Sequence, residues 1–264
     1  MKLIQSRENP FFKELVKLAG SARQRKQSTQ TLLDGAHLLT AYLDAGMLPQ
    51  HILLNEYALQ DVEIAALLKR VGDVPVTQLD DKLFAKLSEL KTPTGILALI
   101  ALPQSQVSVA LSRFALLLED IQDPGNLGSM LRSAAAAGCD AVFLSKGCTD
   151  AWSPKVLRAA MGGHFSLRIY EQQDLLSVVK AFSGTLLATS LQATRSLYDC
   201  DLRGNVAFLI GNEGAGLSAD LLNLATPTIT IPMHGKVESL NAAAAAAICL
   251  FEAVRQRAGE RRMG

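Results

Sequence analysis

The sequence lacks the marks of a metal centre and of a disulfide framework. Its four cysteines, Cys139, Cys148, Cys200 and Cys249, form no C-x-x-C pair and stand beside no histidine cluster. No metal site is therefore expected, and the thiols are expected to be buried and reduced. No apolar run reaches the length of a membrane span, and the N-terminus has no signal-peptide pattern. These absences predict a cytoplasmic protein with no membrane association. A surplus of one charge is missing too: the formal net charge is only +1, so no global basic field advertises a nucleic-acid partner. With 49% hydrophobic and 19% charged residues, the chain is nevertheless globular rather than disordered. Its 264 residues suffice for one large domain or two modest ones.

The near-neutral total hides an asymmetry. Residues 1–30 carry Lys2, Arg7, Lys13, Lys17, Arg23, Arg25 and Lys26 against Glu8 and Glu14, and the stretch Arg255–Arg262 is basic as well. Such patches bind phosphate, or they are solvated helix faces. The chain divides into an N-terminal domain (1–102), a linker (103–112) around Pro103-Gln-Ser-Gln, and a C-terminal domain (113–264). The first domain alternates helices at about 8–20, 35–45, 61–70 and 80–87 with strands at 51–54, 74–78 and 95–102. The second alternates continuous apolar strands, such as Phe114–Glu119 and Val206–Ile210, with helices, which predicts a mostly parallel sheet covered on both faces.

Three blocks in the second domain combine strand, loop and helix. Glu119-Asp-Ile-Gln-Asp-Pro-Gly-Asn-Leu-Gly-Ser-Met-Leu-Arg132 turns through Asp-Pro-Gly-Asn into a helix whose N-terminus is a ready anion site. Phe208-Leu-Ile-Gly-Asn-Glu-Gly-Ala-Gly-Leu217 resembles a phosphate cradle, but it is neither G-x-G-x-x-G nor a Walker loop. Glu213 would repel a pyrophosphate and suits a cationic or hydroxyl-bearing ligand. A nucleotide-dependent oxidoreductase, the other reading of such units, also needs an acidic residue about 20 positions on, which is missing. Ile231-Pro-Met-His-Gly-Lys-Val-Glu-Ser-Leu-Asn241 then leads into six consecutive alanines, Ala242–Ala247. Capping by Ser239 and Asn241 and helix propensity account for the pattern locally, yet so many methyl groups in a row imply close packing of backbones. Between the blocks, Ser153-Pro-Lys-Val-Leu-Arg158 places Lys155 and Arg158 three apart on one helix face.

Together these blocks resemble the SpoU family of ribose 2′-O RNA methyltransferases within the SPOUT superfamily. The resemblance rests on N-x-G-x-x-x-R (Asn126, Gly128, Arg132), G-x-E-G (Gly211, Glu213, Gly214) and I-P-M-x-G-x-x-x-S-L-N (Ile231–Asn241), over about residues 113–257. It implies an α/β fold: a C-terminal, trefoil-knotted, mostly parallel sheet with a small N-terminal ribosomal-protein-like RNA-binding domain. The softer N-terminal match is carried by Ser6, Asn9, Lys13, Leu33-Asp-Gly35, where relatives usually have Glu-Gly, and Thr94-Gly95-Ile96. The implied cofactor is S-adenosylmethionine, held by Thr189, Gly211, Ile231, Met233 and Leu240. The implied catalytic group is Arg132, Asn126, Glu213, Ser239 and Asn241, completed across a homodimer. Arg23, Arg25, Lys155 and Arg158 would hold RNA phosphates. Ribosomal RNA is preferred as substrate; transfer RNA, or a non-catalytic RNA-binding or ribosome-assembly role, are the alternatives.

Overall fold

A computed structural model describes residues 1–88, 90, 93–103, 109–225 and 227–260. By contacts the chain forms two compact units: Met1–Gln104 together with Asp150–Phe165, and Ser105–Thr149 together with Ser166–Gly264. Of the expected 103–112 linker, residues 104–108 lie outside the described residues.

The first unit is built on strands β1 (Lys2–Ile4), β2 (Gln30–Asp34), β3 (His51–Leu54), β4 (Val76–Leu79) and β5 (Ile96–Ala101). They lie in the order β1-β4-β3-β5-β2, with β5 antiparallel to both β3 and β2 and the other pairs parallel. Its helices are α1 (Pro10–Gly20), α2 (Ala22–Ser28), α3 (Ala36–Asp44), α4 (Val62–Val71) and α5 (Asp81–Leu87). Helix α1 starts where the Asn9 side chain accepts the Phe12 N–H and Pro10 pre-sets the first turn. Its Phe12, Leu15 and Leu18 then join Leu53, Leu79, Phe84 and Leu97 in the core. Strands β1 and β2 and helix α2 are absent from the sequence reading. Only Leu32 and Leu33 of Thr31–Asp34 are apolar, yet all four are buried because β2 covers both of its faces, so no alternation marks the strand.

The second unit carries β6 (Phe114–Leu118), α6 (Pro124–Ala137) and β7 (Ala141–Ser145). The chain then visits the first unit with α7 (Pro154–Ala160) and returns as β8 (Arg168–Gln173). Helix α8 (Leu175–Ala181), β9 (Thr185–Thr189), β10 (Val206–Ile210), α9 (Ala219–Leu224), β11 (Thr228–Ile229) and α10 (Ala242–Glu260) follow. The sheet order is β11-β9-β10-β6-β7-β8 and every pairing is parallel. All five residues of β6 and of β10 are buried, as expected for strands covered on two faces. Ala115, Leu117, Ala207 and Leu209 face the α8 and α9 side. Helix α6 packs along α10, which also contacts β10. The segment Asp123–Asn126, expected as a turn, is in fact the N-cap and first turn of α6: Asp123 accepts the Asn126 N–H and Pro124 occupies the first helical position.

One expected RNA contact is a structural residue. Arg25 is 4% exposed. Its Nε and Nη2 donate to Asp150 Oδ2 at 2.7 and 2.5 Å, and its Nη1 donates to the carbonyls of Leu18 (2.5 Å) and Ala19 (3.0 Å). Every arm of the guanidinium is committed, so none is left for a phosphate. Arg25→Ala, which strands a carboxylate only 11% exposed, is expected to lower the unfolding free energy by about 3–5 kcal/mol. Chemical denaturation of the purified protein measures it, and Arg25→Lys, lacking the planar fork, should rescue little. A loss below 1 kcal/mol would mean that the pair behaves like a surface ion pair.

Candidate cofactor and catalytic site

A cavity of about 630 Å³ opens in the second unit, beyond the carboxyl ends of β9, β10 and β11. That is where open α/β sheets take ligands, and the volume suits a small organic molecule. Its lining includes Thr189, Gly211, Ile231, Met233 and Leu240, the five residues expected to hold a cofactor, with Glu213, Ser239 and Asn241. Among the described residues Glu213 is the sole ionisable one of the lining. A site with one carboxylate and no lysine or arginine is poorly suited to a pyrophosphate and complements a cationic ligand. The Thr189 hydroxyl donates to the Leu209 carbonyl at 3.1 Å, so this side chain is occupied in joining β9 to β10.

The floor of the cavity is the loop 211–216, which doubles back on itself. Asn212 N–H donates to Gly216 O at 3.1 Å, and Gly216 N–H donates to Asn212 O at 2.9 Å. The return chain passes so close that a Cβ on Gly211 would lie 2.2 Å from the Gly216 carbonyl carbon. Only glycine fits there.

Three polar residues far apart in sequence meet beside this loop. Asn126 Nδ2 donates to Glu213 Oε1 at 2.9 Å, and Asn241 Nδ2 donates to Asn126 Oδ1 at 2.9 Å. Asn241 Oδ1 in turn accepts the Ala243 and Ala244 N–H groups at 2.9 and 3.2 Å, capping α10. The two ends fix the polarity of this chain, because a carboxylate only accepts and helix N–H groups only donate. Glu213 Oε2 stays available to a ligand. The alanines that follow Asn241 include Ala243 and Ala246, which are buried in α10.

Arg132 is exposed on α6 and does not line the cavity of its own chain. Among the described residues it makes no hydrogen bond or ion pair. Arg23 and Lys155 are exposed in the first unit, whereas Arg158 is half-buried, with a buried Nη1 that has no partner among the described residues. Sequence reading missed Asn212, whose side chain shapes the loop, and Ser190, Leu191 and Gln192, which line the cavity after β9. The first has a signal, since asparagine between glycines favours turns that its own side chain closes; the others have none. The four cysteines are free. Burial pushes the Cys249 thiol up to about 12 and raises the Cys139 thiol as well, so neither is a nucleophile at neutral pH. No helix among the described residues is long and apolar enough to cross a membrane.

Comparison with known proteins gives the same picture. The model of the SpoU rRNA Methylase family matches residues 113–251, and that of the MRM3-like substrate binding domain matches residues 9–98. An uncharacterized tRNA/rRNA methyltransferase of Synechocystis is 36% identical, covering 96% of this chain and 94% of its own. The 23S rRNA (guanosine(2553)-2'-O)-methyltransferase RlmP of Bacillus subtilis is 33% identical over 95% of this chain and 98% of its own. The crystal structure of the SpoU methyltransferase AviRb from Streptomyces viridochromogenes, in complex with the cofactor AdoMet, superposes with a TM-score of 0.83. It is 27% identical and covers 95% of this chain and 100% of that one. The chain belongs to the SpoU rRNA methylase family and is an S-adenosylmethionine-dependent RNA methyltransferase.

Proposed function

We infer that the protein methylates a ribose 2′-hydroxyl of ribosomal RNA, as a cytoplasmic homodimer. The observation that carries this reading is the Asn241–Asn126–Glu213 chain, in which one residue from each sequence block meets at the mouth of one cavity. The cavity fits the cofactor by its volume, its single carboxylate and the glycine floor. Thr189, Gly211, Ile231, Met233 and Leu240 would hold it, and when bound it supplies a methyl group activated by a sulfonium. The protein's own task is to orient the hydroxyl and take up its proton. Glu213, held through Oε1 by Asn126, turns Oε2 toward the ribose and accepts that hydroxyl's hydrogen bond. Ser239 and Asn241 fix the sugar edge. Orientation of this kind is worth about 7 kcal/mol or more.

Arg132 acts as a fixed cation, clamping the adjacent phosphate and stabilising the developing alkoxide. Its position outside the cavity of its own chain supports a site completed by the second copy of a dimer. Phe251, 46% exposed on α10, and the exposed Ala244 and Ala136 provide a small-residue, apolar surface for that contact. Residues 1–102 act as the RNA-binding domain, with exposed Arg23 among its phosphate contacts, and exposed Lys155, from the Asp150–Phe165 segment of the same compact unit, adds another. The second unit, from residue 113 on, is read as knotted. In support, the β9–β10 connection grips the chain that follows it: Thr230 N–H donates to Arg195 O at 2.9 Å, and Gln256 Nε2 to Cys200 O at 3.0 Å. Arg257 Nη2 likewise donates to Gly204 O at 2.8 Å.

The test is transfer of labelled methyl from S-adenosylmethionine to ribosomal and transfer RNA from cells lacking the gene, with nuclease mapping. Label is expected in one 2′-O-methyl nucleotide of ribosomal RNA. Label confined to transfer RNA would replace the substrate, and label on a base would overturn the reaction.

A further inference from the structure

We propose that Asp120 and Asn212 are positioning residues for the cofactor: a hydrogen-bonded brace runs from the end of β7, outside the cavity, to the loop that forms the cavity floor. This rests on the assignment of that cavity to S-adenosylmethionine. Neither residue belongs to the Asn241–Asn126–Glu213 chain.

Between its ends the loop 211–216 is closed by a single pair of backbone hydrogen bonds, that of Asn212 with Gly216. Asn212 shapes the loop from within: its Oδ1 accepts the Gly214 and Ala215 N–H groups at 2.9 and 3.0 Å. Its Nδ2 ties the whole turn down by donating to the Asp120 carbonyl at 2.9 Å. The orientation of that carbonyl therefore sets the position of the floor.

The carbonyl is aimed by an uncommon backbone. Asp120 has φ +54°, in the left-handed region that aspartate and asparagine tolerate and β-branched residues resist. A closed pair of bonds holds it there: Asp120 N–H donates to Ser145 Oγ at 2.9 Å, and Ser145 Oγ donates back to Asp120 Oδ1 at 2.6 Å. Gly147 leaves room for the carboxylate; a Cβ at that position would lie 2.2 Å from Asp120 Oδ1. The preceding residue pins the loop's exit, since Glu119 Oε2 accepts the Ser218 N–H at 2.7 Å. Asp120, Ser145 and Gly147 line a separate cleft and not the cofactor cavity. The brace reaches the cofactor only through Asn212.

The conformation of Asp120, rather than its charge, is what matters to the cofactor. Asp120→Val, which resists positive φ, is expected to raise the dissociation constant for S-adenosylmethionine about tenfold, measured by titration calorimetry on the full-length protein. Asp120→Asn keeps the acceptor and the tolerance for this backbone, and should bind like the wild type. Amide hydrogen exchange of Gly214 and Ala215 in the ligand-free protein should speed up in the valine variant and not in the asparagine variant. If Asp120→Val does not fold, Asn212→Asp carries the test. It keeps both loop acceptors but sets an oxygen against the Asp120 carbonyl, and should weaken binding by a similar factor. A folded valine or Asn212→Asp variant with wild-type affinity and exchange overturns the brace, as does an Asp120→Asn variant as impaired as the valine one. Wild-type protein that fails to bind S-adenosylmethionine overturns the cofactor assignment instead.

Discussion

Arg132→Ala is expected to slow methyl transfer about 10²–10³-fold, the usual cost of removing one donor from a developing oxyanion, while cofactor affinity stays at its wild-type value. Both halves follow from position. The side chain is exposed on α6, outside the lining of its own cavity, so its loss leaves that lining unchanged. An arginine keeps its proton in proteins, so in the role proposed for it Arg132 would bring a permanent charge with a planar fork that matches a phosphate. Arg132→Lys should therefore recover only part of the rate. Single-turnover transfer paired with calorimetry separates the two quantities, and simultaneous loss of both would make Arg132 a structural residue. Mixing Arg132→Ala with a variant defective in cofactor binding tests the dimer. If sites are shared, about a quarter of the wild-type activity returns, the statistical share of intact sites among random pairs.

Gly211→Ala should produce the opposite separation: cofactor binding falls sharply before any chemistry is reached. The added Cβ would lie 2.2 Å from Gly216 C, 2.3 Å from Leu217 N and 2.4 Å from Gly216 O. All three are backbone atoms, so no side chain can swing aside; the loop itself must open. Overpacking of this kind costs about 1–3 kcal/mol, which, if borne by the bound state, corresponds to roughly a 5- to 150-fold rise in dissociation constant. A lower Tm should accompany it. Wild-type affinity in a folded Gly211→Ala protein would show that the floor can open without harm to binding.

The features legible in the sequence were those written locally. Phe114–Leu118 and Val206–Ile210 are apolar throughout because both their faces are covered, and they stood out as strands. Asn126, Glu213 and Asn241 stood out as candidate site residues, but not as neighbours, since 87 and 115 positions separate the bonded pairs. Arg25 was misread for a related reason. Within a run of basic residues nothing distinguishes the one that turns inward, and its partner Asp150 lies 125 positions away. Strand β1, three residues long, is too short for any periodicity to register.

The excursion of Asp150–Phe165 into the first unit means that the chain passes between the two units three times, near residues 104, 150 and 165. Thr31 on β2 donates to the Trp152 carbonyl at 2.8 Å, and α7 packs against that same strand. No single cut yields two intact modules: removal of the N-terminal hundred residues would strip α7 of the strand it leans on and leave Asp150 without its arginine. Gene fusion or truncation that treats the N-terminal portion as a detachable cassette would have to carry the α7 segment along with it.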